Sequence, residues 1–106
     1  MIANRWSANQ ETCAKALFGR PLRVQLAAWI LERDKEPFYL SEAQTAMAIA
    51  FGSAGSAARD EIRAFAQWGM LSSNRAGARI YYTPEPHDLW DAFGRIAEAI
   101  DALDDA

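Results

Sequence analysis

A chain of 106 residues, 51% hydrophobic and 24% charged with a net charge of −3, has the size and composition of one folded domain and not of a disordered segment. No apolar run approaches the ~20 residues of a membrane span, and the opening MIANRWSANQET lacks the continuous apolar stretch of a secretory leader. Cys13 is the single cysteine, which rules out an intrachain disulfide and a cysteine-pair zinc motif and fits a cytoplasmic location.

Residues 1 to 8 carry no clear period and are expected to be loose, with Trp6 packing back onto the domain. Asn9 can cap a first helix, in which Ala14, Leu17 and Phe18 give an apolar stripe and Gly19 is the stop. Pro21 suits the first turn of a second helix, with Leu22, Leu26, Trp29 and Ile30 inward and Arg23, Glu32 and Arg33 in water. After the polar connector Asp34 to Pro37, Phe38-Tyr39-Leu40 reads as a very short strand. Ser41 then caps a third helix whose apolar side is Ala43, Met47 and Ile49 to Phe51, ending at Gly52.

Ser53 or Ser56 can cap a fourth helix, with Ala58, Ile62, Phe65 and Ala66 inward and Gly69 closing it. Met70-Leu71 opens a strand, Asn74-Arg75-Ala76-Gly77 supplies turn chemistry, and Ile80-Tyr81-Tyr82 forms the partner strand. Pro84 and Pro86 stop the sheet, and Asp88 can cap a last helix. Its apolar positions Leu89, Phe93, Ile96, Ile100 and Leu103 are spaced 4, 3, 4, 3, a heptad-type seam that Trp90 and Ala97 widen.

Helix, strand, basic turn, strand over Ser53 to Thr83 is the order of parts in a winged helix. Three segments add detail: ALFGRPLRVQLAAWILER, SAARDEIRAFAQWGML and SNRAGARIYYT. Residues 16 to 83, about two thirds of the chain, resemble the ArsR-type branch of the winged-helix transcriptional regulators. The resemblance implies an α+β winged helix-turn-helix over 1–106, mostly helical, with a small antiparallel β-hairpin wing and extra N-terminal and C-terminal helices. It implies a recognition helix at the second segment and a wing at the third. It also implies sequence-specific binding of double-stranded DNA, with transcription repressed by promoter occlusion, and a homodimer built on the last helix. Residues 9–18 and 87–104 are the expected dimerisation helices, with Leu89, Trp90, Phe93, Ile96, Ile100 and Leu103 at the contact.

The helical wheel places Gly55, Ser56, Arg59, Asp60 and Arg63 opposite Ala58, Ile62 and Phe65. Gly55 and Ser56 let the helix end approach a groove, Arg59 suits a guanine edge, and Arg63 suits phosphate. Arg75 and Arg79 flank the wing turn and can reach the minor groove or the backbone. Asp60 can accept from a cytosine amine or pair with Arg59 or Arg63, and its spacing favours pairing. Asp60 and Glu61 together oppose phosphate binding.

The charge divides along the chain. Residues 1 to 83 carry ten Lys/Arg against seven Asp/Glu, and residues 84 to 106 carry one against seven, so +3 and −6 make up the net −3. The acidic end can face away from a DNA surface, because attraction follows the local potential.

No metal or other cofactor is expected. The family's Cys-x-Cys sensor position reads FYLSEAQTAM here, and His87 with Asp91 and Asp88 is too small a ligand set. Cys13 beside Lys15 reads as a small core residue. No catalytic constellation is present, so an enzyme is not expected. The competing reading is a winged helix that serves as a protein-interaction module, which the low charge and acidic last helix suit.

Overall fold

The computed structural model describes residues 6–53 and 55–104, with the side chain of Asp104 left aside. The expected loose segment therefore lies mostly outside the described residues. Among the described residues the architecture is α+β, with five α-helices and one small antiparallel sheet. In chain order the elements are α1 (Ala8–Phe18), α2 (Leu22–Glu32), β1 (Phe38–Tyr39), α3 (Leu40–Phe51), α4 (Gly55–Gln67), β2 (Leu71–Ala76), β3 (Arg79–Pro84) and α5 (Asp88–Asp101), followed by a 3-10 turn over Ala102–Asp104.

Four helix starts differ from the sequence expectation, among them that of α4, which begins at Gly55 with neither Ser53 nor Ser56 as its side-chain cap. Ser7, not Asn9, caps α1: its Oγ accepts from the Gln10 N–H at 3.2 Å, and Gln10 Oε1 accepts from the Ser7 N–H at 2.8 Å. That reciprocal pair satisfies two donors that the helix start leaves orphaned. At α3 the helix begins one residue before Ser41, and Glu42 Oε1 accepts from the Tyr39 N–H at 2.8 Å. At α5 the cap is His87 and not Asp88. The imidazole Nδ1 accepts from the Leu89 N–H at 3.0 Å, and Asp88 is the first helical residue.

The sheet order is β1-β3-β2. β3 pairs with β2 over its whole length, from Leu71 opposite Pro84 to Ala76 opposite Arg79. It pairs with β1 only at Phe38 opposite Tyr82 and Tyr39 opposite Tyr81. The ribbon is longer than the sequence suggests. Arg75 and Ala76 belong to β2, and the turn itself is Gly77-Ala78, with Gly77 at φ +63°, where a side chain is strained.

The core is aromatic at its centre. The Phe65 ring on α4 meets Trp90 and Phe93 of α5 edge-on, with centroids 5.8 and 5.7 Å away, and Phe18 of α1 stacks on Phe93 at 5.6 Å. The Trp90 indole N–H donates to the carbonyls of Met70 and Glu85, both at 3.1 Å, which locks the start of α5 to the root of the ribbon. Trp6 packs back as expected. It is buried, and its indole N–H donates to Asp101 Oδ1 at 2.7 Å.

These contacts correct the role assigned to the seam. Trp90, Phe93 and Ile100 are buried inside this domain against α1, α2 and α4, so they are core residues and not a surface awaiting a partner. Ile96 is half-buried against the same core. A 4-3-4-3 stripe describes a helix docked on its own domain as well as one docked on a second copy. Only Leu89 and Leu103, at 41% and 47% exposure, remain outward.

Candidate nucleic-acid interface

Helix α4 is strongly two-sided. Ala58, Ile62 and Phe65 are buried, and Ser56, Arg59, Asp60 and Arg63 are exposed. Each step along the helix rotates the side chain by about 100°, so Ser56, Arg59 and Arg63 share one face with Asp60 at its border. Ser56 lies within the first turn rather than at the cap position. Asp60 makes no ion pair with Arg59 or Arg63 among the described residues, contrary to the expectation from its spacing.

Glu61 does not belong to that surface at all. It is 2% exposed and is held by two arginines of the α2 region, with Arg23 Nε at 2.6 Å and Arg20 Nε at 3.5 Å. The acid expected to repel phosphate is therefore internally neutralised, and Arg23, expected in water, is half-buried. Reading Glu61 from sequence alone failed because its partners lie 38 and 41 residues away.

Gly55 has a different reason from the one its small size suggested. A Cβ there would sit 3.3 Å from Nε2 of Gln44, and that same nitrogen donates to the Gly55 carbonyl at 3.0 Å. The glycine makes room for a side chain of α3, and the bond fixes the start of α4 against α3. Nothing in the sequence marks Gln44, because a glutamine inside a helix gives no signal of what it faces.

The two arginines of the β2–β3 ribbon, Arg75 and Arg79, leave it on opposite faces. Arg75 stands opposite Ile80, and Arg79 stands opposite Ala76. Directly paired residues share a face, and successive residues alternate. Arg75 thus continues the face of Tyr82, which stacks on Phe38 in the core. Arg79 shares the other face with Tyr81 and Tyr39. Its guanidinium lies over the Tyr39 ring, 4.9 Å from the centroid, and Tyr39 meets Tyr81 edge-on at 5.7 Å. Both arginines are exposed.

Beside them, β1 ends at Tyr39 and the chain turns at once into α3, leaving β3 unpaired on its β1 side at Arg79 and Ile80. A cleft of about 260 Å³ results, lined by Tyr39, Ser41 and Gln44 on one side and by Ala78 to Ile80 on the other. Gln44 therefore stands between this cleft and the start of α4.

The acidic end of the chain lies elsewhere. α5, with Asp88, Asp91, Glu98 and Asp101 exposed, packs on the side of α4 that carries Phe65, away from Arg59 and Arg63. His87 is engaged in capping, and among the described residues no group of three or more His, Cys, Asp or Glu gathers in a way that could hold a metal ion. Cys13 is half-buried against the core. Among the described residues no helix is long and apolar enough to cross a membrane. No family model, curated protein or solved structure matches this chain.

Proposed function

We propose that this chain is a winged-helix, sequence-specific DNA-binding regulator of transcription, with α4 as the recognition helix and β2–β3 as the wing. The single observation that carries this reading is how the arginines are used. Arg20 and Arg23 pair with Glu61, and Arg33 pairs with Glu42 at 3.3 Å. Arg59, Arg63, Arg75 and Arg79 make no ion pair among the described residues, and all four are exposed on two neighbouring elements. Arg59 and Arg63 stand one turn apart, a like-charge arrangement that costs about 0.2–0.5 kcal/mol in an isolated helix. Unpaired cations kept together in this way suit an external polyanion, and departures from local preference gather at functional sites.

The regulator acts as a homodimer that represses by occupying its operator. Two copies of α4 then read successive major-groove faces, and the apolar positions left for a contact are Leu89 and the half-buried Ile96 on α5 and Leu103 in the 3-10 turn that follows it. The reading is tested by titrating the wild-type protein with a fluorescent mixed-sequence duplex over a range of salt. With Arg59 on a base edge, phosphate contacts by Arg63, Arg75 and Arg79 predict a slope of log K against log salt of about −3 per bound protomer, and about twice that for a bound dimer.

A protein-interaction module is the second reading, favoured by the 65% exposure of Trp68 at the end of α4 and the 70% exposure of Ile49 on α3. Binding too weak to detect at low salt, or without a salt slope, favours that second reading.

A further inference from the structure

The cleft between α3 and the wing tip has a feature that the DNA-binding reading does not use. Arg79 enters it already oriented, while Arg75 on the opposite face has no comparable support. The Tyr39 ring, in the last residue of β1, lies beneath the Arg79 guanidinium at 4.9 Å. The ring and the backbone of Tyr39 are each held. Tyr81 packs against it at 5.7 Å, and the Tyr39 N–H is held by Glu42 at 2.8 Å. The acid nearest to this pair is also compensated, since the other Glu42 oxygen lies 3.3 Å from Arg33. A free arginine on a ribbon tip loses considerable side-chain freedom when it grips a ligand. One that already lies on an aromatic face loses less, and its N–H edge stays open because stacking uses only the plane of the guanidinium.

Resting on the DNA-binding reading, we infer that Tyr39 is a positioning residue that presents Arg79 at the α3–wing cleft to a backbone phosphate of duplex DNA, with the Ser41 hydroxyl and the Gln44 amide as the neutral donors beside it. The lining of the cleft supplies neutral donors and one cation, the groups that a phosphate oxygen accepts from. Arg79 therefore contributes uniformly across sequences, because a phosphate contact carries no base information. It also links the wing to the helix that fixes the start of α4 through Gln44.

The test compares Tyr39→Leu, Tyr39→Phe, Arg79→Ala and the double variant Tyr39→Leu/Arg79→Ala, each titrated with the same mixed-sequence duplex at several salt concentrations. Arg79→Ala is expected to flatten the salt slope by about one unit. Tyr39→Leu is expected to weaken binding about two- to fivefold, in line with an exposed cation–π contact. Tyr39→Phe, which keeps the ring, is expected to bind as the wild type does. The double variant is expected to bind no more weakly than Arg79→Ala alone, because the tyrosine acts only through the arginine.

Additive losses in the double variant, or a Tyr39→Leu variant that binds normally while Arg79→Ala is impaired, overturn the inference and leave the DNA-binding reading standing. A wild type that binds no duplex overturns both. A measurement on the wild type alone guards against a variant that fails to fold. The Arg79 δ-methylene protons resonate upfield if they lie on the ring, and random-coil shifts in both the free and the duplex-bound protein overturn the inference.

Discussion

The Glu61 carboxylate on α4 accepts from Nε of Arg23 on α2 at 2.6 Å, so the helix with the outward arginines is pinned to the core by a buried acid. The acid is almost wholly enclosed, while its partners Arg23 and Arg20 keep 39% and 48% of their side-chain exposure. That asymmetry decides what each deletion costs. Removing the acid returns two arginines to water they already touch. Removing Arg23 leaves a buried carboxylate with only Arg20 at 3.5 Å.

Arg23→Ala is therefore expected to destabilise the fold by about 1–3 kcal/mol, as a buried charged group loses its main hydrogen bond. Glu61→Gln, which keeps the shape, is expected to cost less. Urea unfolding monitored by tryptophan fluorescence gives both values. The opposite order would show that Glu61 is solvated rather than enclosed.

The interior position of Phe93 and Ile100 gives a second expectation. Phe93→Ala should lower stability by about 3 kcal/mol or more, the usual cost of emptying a buried aromatic site. Phe93→Asp with Ile100→Asp should yield an unfolded chain and not a folded monomer, since both charges enter the core. Leu89→Glu with Leu103→Glu touches only outward positions and should leave the melting temperature nearly unchanged. Sedimentation of this surface variant isolates the dimer. If the wild type is dimeric and the variant monomeric, the contact lies on α5. A wild type that sediments as a monomer at tens of micromolar, about the range of weak association, removes the dimer.

Apolar spacing and glycine stops are legible in the residues, whereas the capping residues Ser7 and His87 and the long-range partnerships are not. The outward face of α4, the turn glycine at Gly77, the stops at Gly19 and Gly52 and the short strand at Phe38 follow from spacing and backbone preference, which act within a few residues. The role of Glu61, the reason for Gly55 and the burial of Trp90 depend on Arg23, Gln44 and Phe65, which reach them only after the chain has folded. The α5 seam shows the same division. Its period correctly marks an apolar stripe, but nothing in a period says whether the stripe is covered by its own domain or by another copy. The opposed faces of Arg75 and Arg79 follow from strand register, which was not legible while both residues were assigned to the neighbourhood of a turn.

Base choice and backbone grip should separate between α4 and the wing. Arg59 lies one turn into α4 on its exposed face, where a guanidinium can meet a guanine edge with two hydrogen bonds. Arg59→Ala is expected to cost about 1–3 kcal/mol on the preferred site, with much less loss on other duplexes, so that sequence choice relaxes. Arg75 lies on the ribbon face that continues from Tyr82, and the proposed reading assigns it to the DNA backbone or the minor groove. Arg75→Ala should weaken every duplex alike and flatten the salt slope by about one unit. A dimer carries two recognition helices related by a twofold axis, so the site selected from random duplexes should be an inverted repeat with half-site centres about 10 base pairs apart or a multiple of that. Gel-shift titrations of both variants against the selected site and an unrelated duplex, at several salt concentrations, decide the matter. Equal losses on both duplexes for Arg59→Ala would move that residue from base readout to phosphate contact. Unchanged binding by both variants would remove α4 and the wing as the DNA surface.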